Sequence, residues 1–155
     1  MISTLLSCAT AYKQQGFTGG YSETRLDNNV FRVTFKGNGY TSHERATDFC
    51  LLRSAELALY YEYSYFIIVD ASEYTAKSTY TTPTRSRTNV TVSSYGNTSY
   101  GNANTTTYGG QTYLITKPRS TNTIVCFREK SDIGGLVYNA KFIKTSISDK
   151  YNIHK

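Results

Sequence analysis

The chain offers three thiols and two imidazoles to nucleophilic, acid–base or metal chemistry. Only one of the five stands in a spacing that specifies a reaction. Leu5-Leu6-Ser7-Cys8-Ala9 places an apolar residue three positions before a cysteine and a small residue immediately before it. That is the form of a bacterial lipobox, in which a signal peptidase reads an apolar segment ending in a small side chain and the cysteine receives a diacylglycerol thioether. Cys8 is thus the expected lipidation site, carrying palmitate-type chains, and Met1–Ser7 reads as a truncated signal-peptide remnant with the true start upstream of Met1. Each buried acyl methylene contributes about 0.8 kcal/mol, so two or three such chains hold a protein on a membrane. Ala9 follows where an Asp would retain a lipoprotein at the inner membrane, which points to the outer one.

The other candidates point away from catalysis. His43 falls at an expected helix start and His154 in the tail, so a Ser-His-Asp arrangement would have to draw its base from the first turn of a helix. Cys50 and Cys126 lack any CxxC or Cys/His spacing, which argues against a structural zinc. Both lie among apolar neighbours and read as buried thiols, with a disulfide between them as the alternative in an oxidising periplasm. Arg53 and Glu56 stand three apart on a helix and read as a structural ion pair. Gly37-Asn38-Gly39 reads as a turn, because no Gly-x-Gly-x-x-Gly or Gly-Lys-Ser/Thr pattern surrounds it. No cofactor and no metal are expected, and the chain is read as a non-enzyme.

Charge is distributed unevenly. There are 17 Lys and Arg against 11 Asp and Glu, yet no acidic residue lies between Tyr74 and Arg128. Lys77, Arg85, Arg87, Lys117, Arg119 and Arg128 fall in that window, so the net charge of +6 belongs to one stretch. Local clustering within a Debye length of about 8 Å sets the potential a partner meets. With the tyrosines of the same stretch, Lys77, Tyr80, Arg85, Arg87, Tyr95, Tyr100 and Tyr108 form the candidate binding surface, which a cross-strand Tyr/Thr ladder would equally produce.

The elements that must position these residues follow from periodicity. At 155 residues, 39% hydrophobic, the chain suits one core of moderate size. Its longest apolar run within the body, Phe66–Val69, is far below the roughly 18 residues of a membrane-spanning helix. Ala9–Asn28 is rich in Gly, Thr, Gln and Ser without apolar period, so 8–28 reads as a lipid-anchored flexible tether. Val30–Lys36 alternates strictly and predicts a strand with Phe31, Val33 and Phe35 on its dry face. Thr41-Ser42-His43-Glu44 has capping-box spacing, predicting a helix from near Ser42 to Tyr61–Ser64. Tyr65–Asp70 then reads as a central strand, completing a βαβ unit, although it is apolar on both faces.

Ser72–Tyr113 is of low complexity, with 12 Thr and 6 Tyr. Alternating stretches and Gly-Asn turns favour a long, weakly packed β-hairpin. Thr112–Thr116 and Thr123–Arg128 predict a second hairpin around Pro118, and Leu136, Ala140, Ile143 and Ile147 a second helix capped by Ser131 or Asp132. The expected fold class is α/β, in an α+β-like two-layer form: a mixed β-sheet of about 4–6 strands with two helices on one face. Its order is β-α-β, hairpin insert, β-β-α. The domain spans 29–151 with the insert at 72–112, and 152–155 is a tail.

Four segments, Gly19-Gly20-Tyr21-Ser22, Phe31-Arg32-Val33-Thr34-Phe35, Gly37-Asn38-Gly39-Tyr40-Thr41 and Leu51-Leu52-Arg53-Ser54-Ala55-Glu56-Leu57, together resemble a family of small proteobacterial cell-envelope lipoproteins. In that family a lipobox cysteine precedes a strand-helix-strand core and a Tyr/Ser/Thr/Gly-rich stretch. The resemblance covers Cys8 to Asp70 and reaches further only by composition. It implies a place in the cell envelope and carries no activity, cofactor or catalytic residue.

The expectation is therefore a non-enzymatic outer-membrane lipoprotein, held by Cys8 on the periplasmic side, whose domain binds an envelope protein or glycan. The alternative is a basic, Tyr-rich protein binding nucleic acid or an anionic glycan, with nucleic acid disfavoured by an export-type start and the lack of a recognised motif. A hydrolase built on His43 and a nearby carboxylate is a third reading.

Overall fold

Two strands open the body, β1 (Gly20–Asp27) and β2 (Val30–Lys36), in a computed structural model that describes residues 8–154. The expected signal remnant 1–7 lies outside the described residues. They are followed by α1 (His43–Tyr60), β3 (Tyr65–Thr81), β4 (Arg85–Tyr95), β5 (Thr98–Tyr108), β6 (Thr112–Phe127), β7 (Tyr138–Asn139) and α2 (Ala140–Tyr151). The chain divides into two units, one running up to Lys77 and resuming at Thr116, the other Ser78–Ile115. The strands form a five-stranded sheet in the order β1-β2-β6-β3-β7 and a two-stranded sheet of β4 and β5, both antiparallel. The expected combination of sheet and two helices is observed. What differs is the connection: β6 lies between β2 and β3, so the strand-helix-strand unit is split and no neighbouring pair is parallel.

In the first unit, the alternation of β2 buries Phe31, Val33 and Phe35 almost completely. Opposite them β6 presents Ile124, Asn122 and Ser120 in register. α1 covers this face with Ala46, Phe49, Cys50, Ala55 and Leu57, and the ring of Phe49 meets that of Phe35 edge-on at 5.1 Å. Each such fully buried Phe or Leu contributes about 1.5–3 kcal/mol. The helix cap is Ser42, whose hydroxyl accepts from the N–H of Arg45 at 3.1 Å, one residue later than the capping box placed it. Thr41 is instead buried and occupied elsewhere, accepting from the N–H of Thr10.

Three expectations are corrected here. The tether 8–28 contains β1, which pairs along its length with β2 and belongs to the body. Its inward residues Tyr21, Glu23 and Arg25 stand opposite Phe35, Val33 and Phe31. They cover the apolar edge through rings, charges and stems, so no apolar period is visible. The hairpin around Pro118 is one continuous strand, β6; Pro118 sits just beyond the last β2 pair, where its carbonyl still accepts from Gly37 at 2.8 Å and a missing N–H costs least. α2 begins at Ala140, capped by Asn139, and Leu136 is exposed. The residues before it are used by β7, whose Tyr138 pairs with Phe66 of β3 and stacks on its ring at 5.2 Å.

The doubly apolar run of β3 is resolved by a sheet with one covered face: Phe66 is fully buried, whereas Val69 is 55% exposed. α2 docks on α1 through Ile147 and Tyr151, whose ring meets Phe49 at 4.8 Å.

In the second unit the expected insert 72–112 is shorter than read, because β3 runs on to Thr81 and only β4 and β5 form a hairpin of their own. β4 and β5 pair from Arg85↔Tyr108 to Tyr95↔Thr98 around a Gly96-Asn97 turn, in which Gly96 has φ +61° as a tight two-residue connection requires. No described residue of this unit is buried.

Candidate functional site

Cys8 is exposed. Its carbonyl accepts from the side-chain amide of Asn38 at 2.8 Å. Two residues on, Thr10 is buried and clasped: its N–H donates to Thr41 Oγ1 at 3.0 Å, its hydroxyl donates to Thr18 O at 2.9 Å, and the same hydroxyl accepts from the Asn38 N–H at 2.8 Å. The turn after β2, read in the sequence as a mere break, is thus what holds the segment carrying the thiol.

The expected pair of Arg53 and Glu56 forms at 3.2 Å and is part of a larger cluster. Arg53 also grips Glu23 of β1 with two bonds, at 2.8 and 3.2 Å, and lies over the ring of Tyr21 at 4.4 Å. Glu56 accepts in turn from the hydroxyl of Tyr12 at 2.6 Å. Burial, reinforced by that carboxylate, raises the Tyr12 phenol above its usual range. For Arg53 burial works against the charge, but the bonded Glu23 outweighs it and the guanidinium is held more firmly protonated. Sequence reasoning missed Glu23, Tyr12 and Tyr21, which share no spacing with the helix. The cluster is saturated with its own partners and clamps the N-terminal segment and β1 to α1.

Cys50 and Cys126 are both buried and free, so the alternative of a disulfide is not realised. Burial pushes the Cys50 thiol up to about 11 and that of Cys126 up to about 12. They sit in the hydrophobic core as small apolar side chains. His43 lies beside Thr75, Nε2 to Oγ1 at 3.2 Å, with Glu73 at 3.8 Å from Nδ1. Imidazole and carboxylate are each half exposed. Among the described residues no group of three or more His, Cys, Asp or Glu side chains could hold a metal, and no helix is long and apolar enough to cross a membrane.

The residues of the candidate binding surface are partly united. The register puts Arg85, Arg87, Tyr95, Tyr100 and Tyr108 on one face of the β4–β5 pair, together with Asn89, Asn102 and Asn104. The opposite face carries hydroxyls bonded to one another across the strands, as in Thr88–Thr105 at 2.9 Å and Ser94–Ser99 at 3.1 Å. Tyr80 lies on β3 in the same unit and is exposed. Lys77 falls in the first unit. No protein-family model, no curated protein and no solved structure matches the chain.

Proposed function

We propose that the chain is a non-enzymatic bacterial lipoprotein of the outer membrane, anchored by Cys8 and facing the periplasm, whose domain serves as a binding module of the envelope. The observation that carries this reading is Cys8 itself: an exposed thiol in lipobox spacing, joined without slack to a packed body by Asn38 and Thr10. The remaining polar clusters support a structural use, since Arg53, Glu56, Glu23 and Tyr12 satisfy one another. Cells fed a clickable fatty acid test it. The full chain is expected to be labelled and to fractionate with membranes, and Cys8→Ser to lose both; an unlabelled chain in the soluble fraction overturns the proposal.

A second reading, a Tyr-rich surface for single-stranded nucleic acid or an anionic glycan, is favoured by the alignment of Arg85 and Arg87 with three tyrosines on one hairpin face. Stacking there would contribute about 1–3 kcal/mol per base. A labelled single strand titrated at about 50 and about 200 mM salt decides it; no binding at the lower salt removes the nucleic-acid form.

A further inference from the structure

Phe17 is fully exposed, although the loop that carries it is tied by backbone hydrogen bonds. Gly16 and Gly19 exchange backbone hydrogen bonds at 3.0 and 3.2 Å, which leaves Phe17 and Thr18 as a two-residue tip. Gly19 lies so close to β2 that a Cβ on it would run into the Lys36 carbonyl, at a φ of +104°. The tip is also bonded to the Thr10 hydroxyl, and through it to the turn that holds Cys8. An aromatic side chain is therefore presented to solvent by a fixed scaffold beside the candidate anchor.

Basic residues surround the same place. Lys36 and Arg119 stand directly opposite each other across β2 and β6, on the sheet face the helices leave open, and Lys117 follows two residues along. Like charges in that position repel, yet none of the three is engaged in an ion pair with a described residue. A groove of about 260 Å³ joins Phe17, Gly19, Lys36, Asn38 and Lys117, and a smaller one of about 130 Å³ joins Lys36, Lys117, Arg119 and Tyr74. No carboxylate lines either groove. Repulsion left uncompensated within the protein is relieved by an anionic surface, and an exposed ring fixed beside it matches the interfacial level of a bilayer.

We infer that this end of the first unit is a docking surface for an anionic lipid bilayer. Phe17 enters the head-group boundary while Lys36, Lys117 and Arg119 meet lipid phosphates. The inference deepens the anchoring through Cys8, which would bring this end to the membrane, but the surface acts without the acyl chains.

The test uses the full chain as Cys8→Ser, floated with vesicles of phosphatidylglycerol and phosphatidylcholine or of phosphatidylcholine alone. Binding to the anionic vesicles that weakens with salt is expected. The triple variant Lys36→Gln, Lys117→Gln, Arg119→Gln is expected to partition about 100-fold less, about five-fold for each charge removed. The chain holds no Trp, so Phe17→Trp supplies a lone reporter whose emission shifts to the blue on the anionic vesicles. Absence of binding at low salt, equal binding by the triple variant, or an unshifted reporter in the bound protein overturns the inference. Failure here with wild-type chain labelled in cells sinks the docking surface alone. Anionic-vesicle binding by a chain that cells never acylate sinks the anchor alone.

Discussion

Replacing Arg53 by Met removes one side chain from three interactions while keeping most of its stem. Arg53 is 20% exposed, and its partners Glu56 and Glu23 are 13% and 31% exposed. This lies between an open pair, contributing about 0–1 kcal/mol, and a buried one, where loss of a partner costs about 3–5 kcal/mol. Hydrogen bonds to charged groups contribute about 1.5–3 kcal/mol net, and the stacking on Tyr21 at 4.4 Å adds about 0.5–1 kcal/mol. Arg53→Met is therefore expected to cost about 2–3 kcal/mol, most of it because the largely buried Glu56 carboxylate keeps only the Tyr12 hydroxyl as a bonded partner. Glu23→Gln, whose oxygen can still accept one bond, should cost about 1 kcal/mol. The assay is urea unfolding of the two single variants and the double one, with a coupling of about 1 kcal/mol between positions 23 and 53 expected. If Arg53→Met stays within about 0.5 kcal/mol of wild type, or the two losses simply add, β1 is not clamped to α1 as described.

Tyr12→Phe should change the alkaline limb of stability. The folded phenol is raised above its ordinary value of 10.0, so the folded state keeps a proton the unfolded state loses, and stability must fall as pH rises past 10. The variant is expected to show a shallower fall in melting temperature above that point. Of the three thiols in the unacylated full chain, Cys8 should react with a thiol reagent at once, and Cys50 and Cys126 only after unfolding; between the ordinary 9.0 and about 11 to 12 their retained protons should likewise make stability decline with pH. Excising Arg85–Tyr108 and closing the gap with a short turn should leave the melting temperature within a few degrees, because no side chain of that segment is buried; circular dichroism with thermal scanning checks it.

What the residues disclosed, and what they hid, follows one physical line. β2 and α1 were legible because Phe31, Val33, Phe35, Phe49 and Leu52 bury apolar area in the period of their own element. β1 was not, since its inward positions are Tyr21, Glu23 and Arg25, stabilised by partners in α1 and β2 that no local window contains. β6 was cut in two because Ser120 and Asn122 are polar yet buried, and because Pro118 is tolerated once the ladder to β2 has ended. For the sites, the helical spacing of Arg53 and Glu56 announced their contact, whereas Glu23 lies 30 residues away in the chain. The hairpin face was readable only as composition until the register placed Arg85, Arg87 and the tyrosines on one side.

The clasp of Thr10 by Thr18, Asn38 and Thr41 fixes more than position. From Cys8, itself held at its carbonyl by Asn38, to the buried Thr10 there are two residues of chain, about 7 Å, where a free 20-residue segment would wander over tens of ångströms. Were Cys8 acylated as proposed, a body joined to it over so short a span would be confined to a narrow range of orientations. Copies acylated in one leaflet would all present the same side outward, so their lateral encounters would take place between pre-aligned surfaces in two dimensions.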